Sequence, residues 1–288
     1  TFEFDLRQHK NHTRDWRSAF VAAVQKRARG PSPPALCLSD GYDSGAIALA
    51  LGQLGAPHAL YAVQAREDIQ VLAERFAFAD RLNATATLRL GSLSAVDFAR
   101  EREFLAGRAE RVPYALRERY TSVDDKAAAG LSWVYGEAAG RGHRLFLTGS
   151  GADETISDYG ILGQAVEFHS SLKGLFPDGL AGVFPWLNFF LGTQRDYLAK
   201  EETAAGAHGV ESRYPFLDRA AVQEYLWLDA RLKNSAYKAP LGALMDDAGY
   251  PYLPGAKRGF SADKELRGGA GSAEEICRVA AKIVQQIP

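Results

Sequence analysis

Short apolar runs alternate with longer amphipathic stretches through the first half of the chain. ALCLS (35–39), ALYAV (59–63), ATLRL (86–90) and RLFLTG (144–149) are brief, rich in apolar residues and bounded by polar or small ones, the pattern of buried strands. Around them, TRDWRSAFVAAVQKRA (13–28), SGAIALALGQLG (44–55), DIQVLAERFAFADRLN (68–83) and DDKAAAGLSWVYGEAAGRG (124–142) carry helix formers with apolar residues at helical spacing. Alternation on this scale predicts an α/β fold, a parallel sheet with helices on both faces. From about residue 161 the strand signals fade, and AVQEYLWLDARL (221–232) and AYKAPLGALMDDAG (236–249) read as helices. The second half is therefore expected to be mainly helical and packed on the sheet. RGPSPPA (29–35) reads as the loop that carries the N-terminal helix into the first strand. The stretch 168–202 matches no assignable pattern, and its Phe and Trp residues read as helix packing.

Composition narrows the function classes. The 288 residues are 47% hydrophobic, enough for a sizeable core. Thirty-four Lys and Arg against thirty-five Asp and Glu give a net charge of −1, so no whole-chain field draws nucleic acid or an acidic membrane, and any phosphate site must be local. Two cysteines, Cys37 and Cys277, make neither a disulfide framework nor a zinc set. The six histidines show no metal-like spacing and no persuasive Ser-His-Asp order. With no signal-like N-terminus and no apolar stretch of about twenty residues, the expectation is a cytoplasmic protein with no nucleic-acid and no membrane partner. The chain opens on Thr1 rather than Met, consistent with removal of upstream sequence.

The chemistry concentrates where strands end. LCLSDGYDSGAIALAL (36–51) places small and acidic residues between a buried strand and a helix. There, small residues let backbone N–H groups approach an anion, and the helix N-terminus adds partial positive charge. Neither G-x-x-x-x-G-K-[ST] nor G-x-G-x-x-G is present. Ordinary helix capping by Ser and Asp is the competing reading. The stretch resembles the S-G-G-x-D-S loop of the PP-loop ATP pyrophosphatases, with Ser39, Gly41, Asp43 and Ser44 in register and Asp40 in place of a glycine. After the next strand signal, LFLTGSGADETISDYG (145–160) repeats the arrangement and resembles the G-x-G-A-D-E segment of asparagine synthetases. Its adjacent Asp153 and Glu154 offer hard oxygen ligands suited to Mg²⁺. GVESRYPFLD (209–218), AYKAPLGALM (236–245) and PGAKRGFSA (254–262) complete an ordered set. The chain is thus similar to the C-terminal synthetase domain of class B asparagine synthetases, whose relatives include β-lactam synthetases and lasso-peptide cyclases.

The resemblance implies a domain over 35–288, after an N-terminal helix and linker over 1–34, that uses ATP and Mg²⁺. It implies an amide-forming ligase in which a substrate carboxylate attacks the α-phosphate, pyrophosphate leaves, and ammonia or another amine displaces AMP from the acyl-adenylate. Carried over by position, Ser39, Gly41 and Ser44 would cradle pyrophosphate, and Asp43 and Asp153 would hold Mg²⁺. Leu38, Val63 and Gly149 would receive adenine and ribose through backbone groups. Lys238, Glu154 and Lys257 are the candidate catalytic residues, Lys238 as the lysine that neutralises charge on phosphates and adenylate. Glu211, Arg213 and Asp218 read as structural, a buried Arg flanked by carboxylates that braces the loop beside the active site, with Pro215 fixing its turn. Ser150 stands where asparagine synthetases carry a glutamate and β-lactam synthetases a tyrosine. The glutaminase domain of class B enzymes and its terminal cysteine have no counterpart here. The nucleophile is then free ammonia, another amine, or ammonia supplied by a separate protein or by a glutaminase portion cut away before Thr1. A homodimer is among the arrangements considered. Two contrasting readings stand beside the ligase: an inactive nucleotide-binding or scaffold relative, and a PP-loop enzyme of different chemistry such as tRNA modification.

Overall fold

A computed structural model describes residues 3–257 except 64–66, 83–85, 92, 118 and 191. Its strands are β1 (Ala35–Cys37), β2 (His58–Val63), β3 (Ala86–Gly91), β4 (Leu145–Leu147), the short pair β5 (Gly160–Ile161) and β6 (Gln164–Ala165), and β7 (Glu211–Arg213). The helices are α1 (Arg14–Arg27), α2 (Tyr42–Gln53), α3 (Ile69–Arg81), α4 (Ala95–Arg108), α5 (Lys126–Gly140), α6 (Thr193–Ala207), α7 (Arg219–Trp227), α8 (Ala230–Lys233) and α9 (Ala239–Ala248).

Five strands form a parallel sheet in the order β3-β2-β1-β4-β7, and β5 pairs antiparallel with β6. Every residue of β2 is buried, which explains why it reads as an unbroken apolar run. β1 divides its side chains between two cores. Leu36 and Leu38 face one with Trp16, Phe20 and Ile47; Ala35 and Cys37 face the other with Tyr135 and Phe146. The α/β fold with helices on both faces is therefore present.

The second half is not only helical. ESR within GVESRYPFLD forms β7, which extends the sheet by pairing with β4 in register Leu145↔Glu211 to Leu147↔Arg213. Three residues of strand are too few for a periodicity signal, and their conformation is settled by the neighbouring edge. α6 emerges from the stretch without an assignable pattern, while Phe176, Trp186 and Phe189 from the same stretch pack in the first core. α4 opens with a capping box, in which Ser94 and Asp97 bond each other's backbone N–H.

Strand order places the site. The chain steps outward from β1 to β2 and β3, then returns to β4 on the other side of β1. The connections leaving β1 and β4 therefore part in opposite directions, opening a crevice beyond their carboxyl ends where ligands of open α/β sheets bind. Ser39–Ser44 follows β1 there, and Gly149–Asp153 follows β4.

Candidate functional site

In the first loop the residues that could cap α2 are otherwise engaged. The N-cap is Gly41, and no side chain caps it. Ser39 and Ser44 bond each other through their hydroxyls at 2.9 Å, and Ser44 Oγ also accepts from Ser39 N–H at 3.0 Å. Gly41 N–H donates to Ser39 Oγ at 3.2 Å. Asp40, 4% exposed, turns away from this loop and accepts from Asp68 N–H, just ahead of α3, at 2.8 Å. The extra negative charge in place of a loop glycine thus lies at another helix's N-terminal end, where it is favourable.

Arg75 of α3 holds the loop from behind. Its buried guanidinium donates to the carbonyls of Ser39 (2.5 Å) and Gly41 (2.9 Å) and, from Nε, to Pro251 (2.8 Å). This approach requires Gly45, since a Cβ there would lie 2.7 Å from the guanidinium carbon. An arginine on an amphipathic helix ordinarily reads as surface, and nothing local marks this one as turned inward.

The second loop approaches the first just as closely. A Cβ on Gly149 would sit 2.8 Å from Asp43 Cβ, so glycine allows the two strand ends to come together. Asp153 begins a single π-helical turn, Asp153–Ser157. The adjacent carboxylates of Asp153 and Glu154 do not share one ligand position. Glu154 turns back on its own loop, accepting from Gly151 N–H at 2.9 Å and from the Tyr159 hydroxyl at 2.8 Å. Burial and the neighbouring charge of Asp153 push Glu154 up to about 7.

Two lysines close the cluster. Lys238 is the N-cap of α9, with a left-handed backbone (φ 50°), rather than a residue within the helix. Its buried Nζ lies 2.6 Å from Asp43 Oδ1 and 2.8 Å from Asp153 Oδ1. Lys257 Nζ pairs with the other oxygen of Asp153. Burial alone would push a proton off Lys238, but Asp153 and Asp43 outweigh it and hold the ammonium well above its ordinary range. Burial likewise opposes the charge on Asp153, yet two lysines keep it below the ordinary carboxylate range. Asp43, with a smaller share of this positive charge, is raised by burial.

A cavity of about 380 Å³ opens beside the cluster. Ser39, Gly41, Asp43, Ser44, Gly149, Asp153, Glu154 and Lys257 all line it. Lys238 is not on the wall, but both carboxylates it pairs with are. Leu38 and Val63 are not on the wall; both are core residues, and Leu38 N–H is used in the sheet, donating to Tyr61 O at 2.7 Å. The far wall comes from α5, α6 and the segment before them, including Arg117, Lys200 and Glu201. Those three are unmarked in the sequence because no motif surrounds them.

The arginine expected to brace the site does different work. Arg213 is partly exposed, pairs with Glu211 at 2.7 Å, and donates to the carbonyls of Arg27 (2.9 Å) and Arg29 (2.7 Å). Asp218 pairs instead with Arg27 (2.7 Å) and caps α7 through Ala220 N–H. The segment is structural, but it fastens β7 and α7 to the end of α1 rather than bracing the active-site loop. Gly259 and Phe260 of the last motif, and Cys277, lie outside the described residues.

Among the described residues no helix is long and apolar enough to cross a membrane. A family model described as Asparagine synthase matches residues 15–187 and 186–265. No curated protein matches the chain.

Proposed function

The chain belongs to the asparagine synthase family, ATP-dependent amide-forming ligases, and from that premise we propose that it activates a carboxylate as an acyl-adenylate, releases pyrophosphate, and transfers the acyl group to ammonia or another amine. One observation carries this reading most directly. Lys238 and Lys257 are gathered on Asp43 and Asp153 where two loops meet at the sheet's switch point.

A carboxylate is a poor acyl donor until one of its oxygens belongs to a good leaving group, and pyrophosphate leaves well only when its charge is neutralised. The first-turn N–H groups of α2, with no side-chain cap at Gly41, face the same crevice and supply fixed positive dipoles. Lys257, on the cavity wall, supplies positive charge able to turn from carboxylate to phosphate oxygens because an ammonium is a compact donor on a flexible stem, while the buried Lys238 balances the two carboxylates that face the cavity. The 380 Å³ cavity gives the acyl group a partly enclosed place beside them.

The carboxylates fit Mg²⁺. Oxygens from both loops already converge on one cationic point, 2.6 and 2.8 Å from Lys238 Nζ, and both are hard donors. Among the described residues no group of three His, Cys, Asp or Glu side chains forms a complete metal site. Asp43 and Asp153 would hold Mg²⁺, and it would supply neutralisation of the leaving pyrophosphate.

The reading is tested by measuring pyrophosphate and AMP release from Mg-ATP across a panel of amino acids, small carboxylic acids and peptides, with and without ammonium. Release that requires one acid and disappears in Asp153→Ala and Lys238→Ala is the expected result. Nucleotide binding without turnover for any acid would favour a binding protein instead.

A further inference from the structure

The far wall of the cavity carries a carboxylate that the adenylation half of the reaction does not use. Glu201, on α6, is 6% exposed and lines the cavity. Thr148 donates its hydroxyl to Glu201 Oε2 at 2.7 Å, and the Ser150 hydroxyl is a second partner. No described lysine or arginine forms an ion pair with it: the adjacent Lys200 turns its Nζ toward Asp125, 3.6 Å away, and over the Tyr197 ring, 4.8 Å away. Buried carboxylates are normally paired with a cation. One that faces a cavity with only hydroxyl partners is built to receive a cation from outside.

Charge sorts the reactants along this cavity. ATP and the acid are anions and suit the end that carries Lys257, whereas the far wall, where Arg117 and Lys200 are accompanied by Asp125, Glu167 and Glu201, does not favour an anion. An amine entering as its ammonium ion is the reactant of opposite sign. We propose that Glu201 binds the amine nucleophile as an ammonium ion and accepts the proton that frees its lone pair, which rests on the adenylate-forming reading above. The nitrogen then attacks the acyl carbon, and the carbon–oxygen bond to phosphate breaks with its electron pair leaving on AMP. The second nitrogen proton passes to the AMP phosphate as the adduct collapses. Thr148 and Ser150 are positioning residues that aim the carboxylate.

The groups facing Glu201 set its titration. Lys200 and Glu202 come from its own helix, Tyr135 from α5, Cys37 from β1, Thr148 and Ser150 from the end of β4 and its loop, and Tyr214 from the end of β7. Burial raises it most, the two hydroxyls and Lys200 pull it back, and the result stays above the ordinary carboxylate range. A raised carboxylate is a better proton acceptor once ionised.

The test separates the two half-reactions, using the acid that supports pyrophosphate release. Amide formation is measured with ammonium chloride, and adenylate formation by trapping with hydroxylamine, which is uncharged at neutral pH and needs no proton acceptor to expose its nitrogen. In Glu201→Gln, hydroxamate and pyrophosphate formation should stay within about 3-fold of wild type, while amide formation falls by about 100-fold or more. Raising the pH, which supplies free ammonia, should recover part of the loss. Glu202→Gln, whose parent residue bonds the Tyr214 hydroxyl, should leave both halves close to wild type at neutral pH and move only the acid limb of amide formation slightly to lower pH, since Glu202 raises Glu201. Thr148→Val should move the acid limb of amide formation to higher pH, a readout that does not depend on Glu201→Gln folding. Equal loss of both half-reactions in a folded Glu201→Gln, or amide formation unchanged in it, would overturn the inference while leaving adenylation intact in wild type. Failure of wild type to release pyrophosphate with any acid would overturn both readings.

Discussion

Lys238 and Asp43 stand 195 residues apart in the chain and 2.6 Å apart in space. The same ammonium reaches Asp153 at 2.8 Å, so one buried lysine ties the ends of β1 and β4 to the start of α9. Charge in this cluster ties the two loops together, and in the proposed reaction the same charge meets phosphate.

Lys238→Met should lower pyrophosphate release by about 100-fold or more. It also changes the pH dependence of stability. In wild type, Asp153, held below its ordinary 3.8, contributes stability that is present above that value and is lost as pH falls through its folded value. Lys238, held above its ordinary 10.5, contributes stability present below that value and lost as pH rises through its folded value. Without Lys238, Asp43 is raised further and then favours folding only while protonated. The stability gap between wild type and variant should therefore widen from pH 4 to pH 8 in urea denaturation; a gap that narrows would contradict the cluster.

Glu154 works in the opposite sense to Asp153. Its carboxyl sits at about 7 in the fold against an ordinary 4.5, so its contribution is present below 4.5 and is lost as pH rises through about 7. Glu154→Gln imitates the protonated form, able to donate to Tyr159 and accept from Gly151 N–H. The variant should show a flatter stability profile between pH 4.5 and 7 and gain roughly 3 kcal/mol relative to wild type at pH 8. Parallel denaturation profiles for the two proteins would show that Glu154 is already ionised.

Arg75→Met should remove the charged donor from the carbonyls of Ser39, Gly41 and Pro251, leaving Ser39 only the long bond from the Ser44 hydroxyl (3.4 Å) and Gly41 only that from Gly45 N–H (3.4 Å). The expected cost is about 3 kcal/mol, a melting temperature lower by about 6–10 °C. Arg75→Lys should not restore it, because one ammonium cannot reproduce the fork that bonds carbonyls from two directions. Calorimetry on the two variants decides the point.

Gly149→Ala would place a methyl 2.8 Å from Asp43 Cβ. Overpacking of this kind costs about 1–3 kcal/mol, and the strain falls on the carboxylate beside the cavity. Pyrophosphate release should drop at least about 10-fold with the protein still folded by circular dichroism. Activity unchanged in a folded variant would mean that the two loops need not approach so closely.

What the sequence determined by itself was whatever local pattern can encode. Apolar runs made strands, helical spacing made α1, α2, α3 and α5, and small residues with carboxylates marked the loops after β1 and β4, all properties of residues within a few positions of one another. Ordered motifs also pointed to the family and to Asp43, Asp153, Glu154 and Lys238 as a group, with Lys257 beside them. Tertiary structure decided the rest, because it depends on neighbours far along the chain. It folded three residues at 211–213 into a strand only because β4 offered an edge. It turned Asp40 from the crevice to the start of α3, and turned Arg75 of α3 onto the first loop and Glu201 of α6 into the cavity wall. A side chain's partner is chosen by which elements pack together, and that choice is carried by the whole core rather than by any residue's own surroundings in sequence.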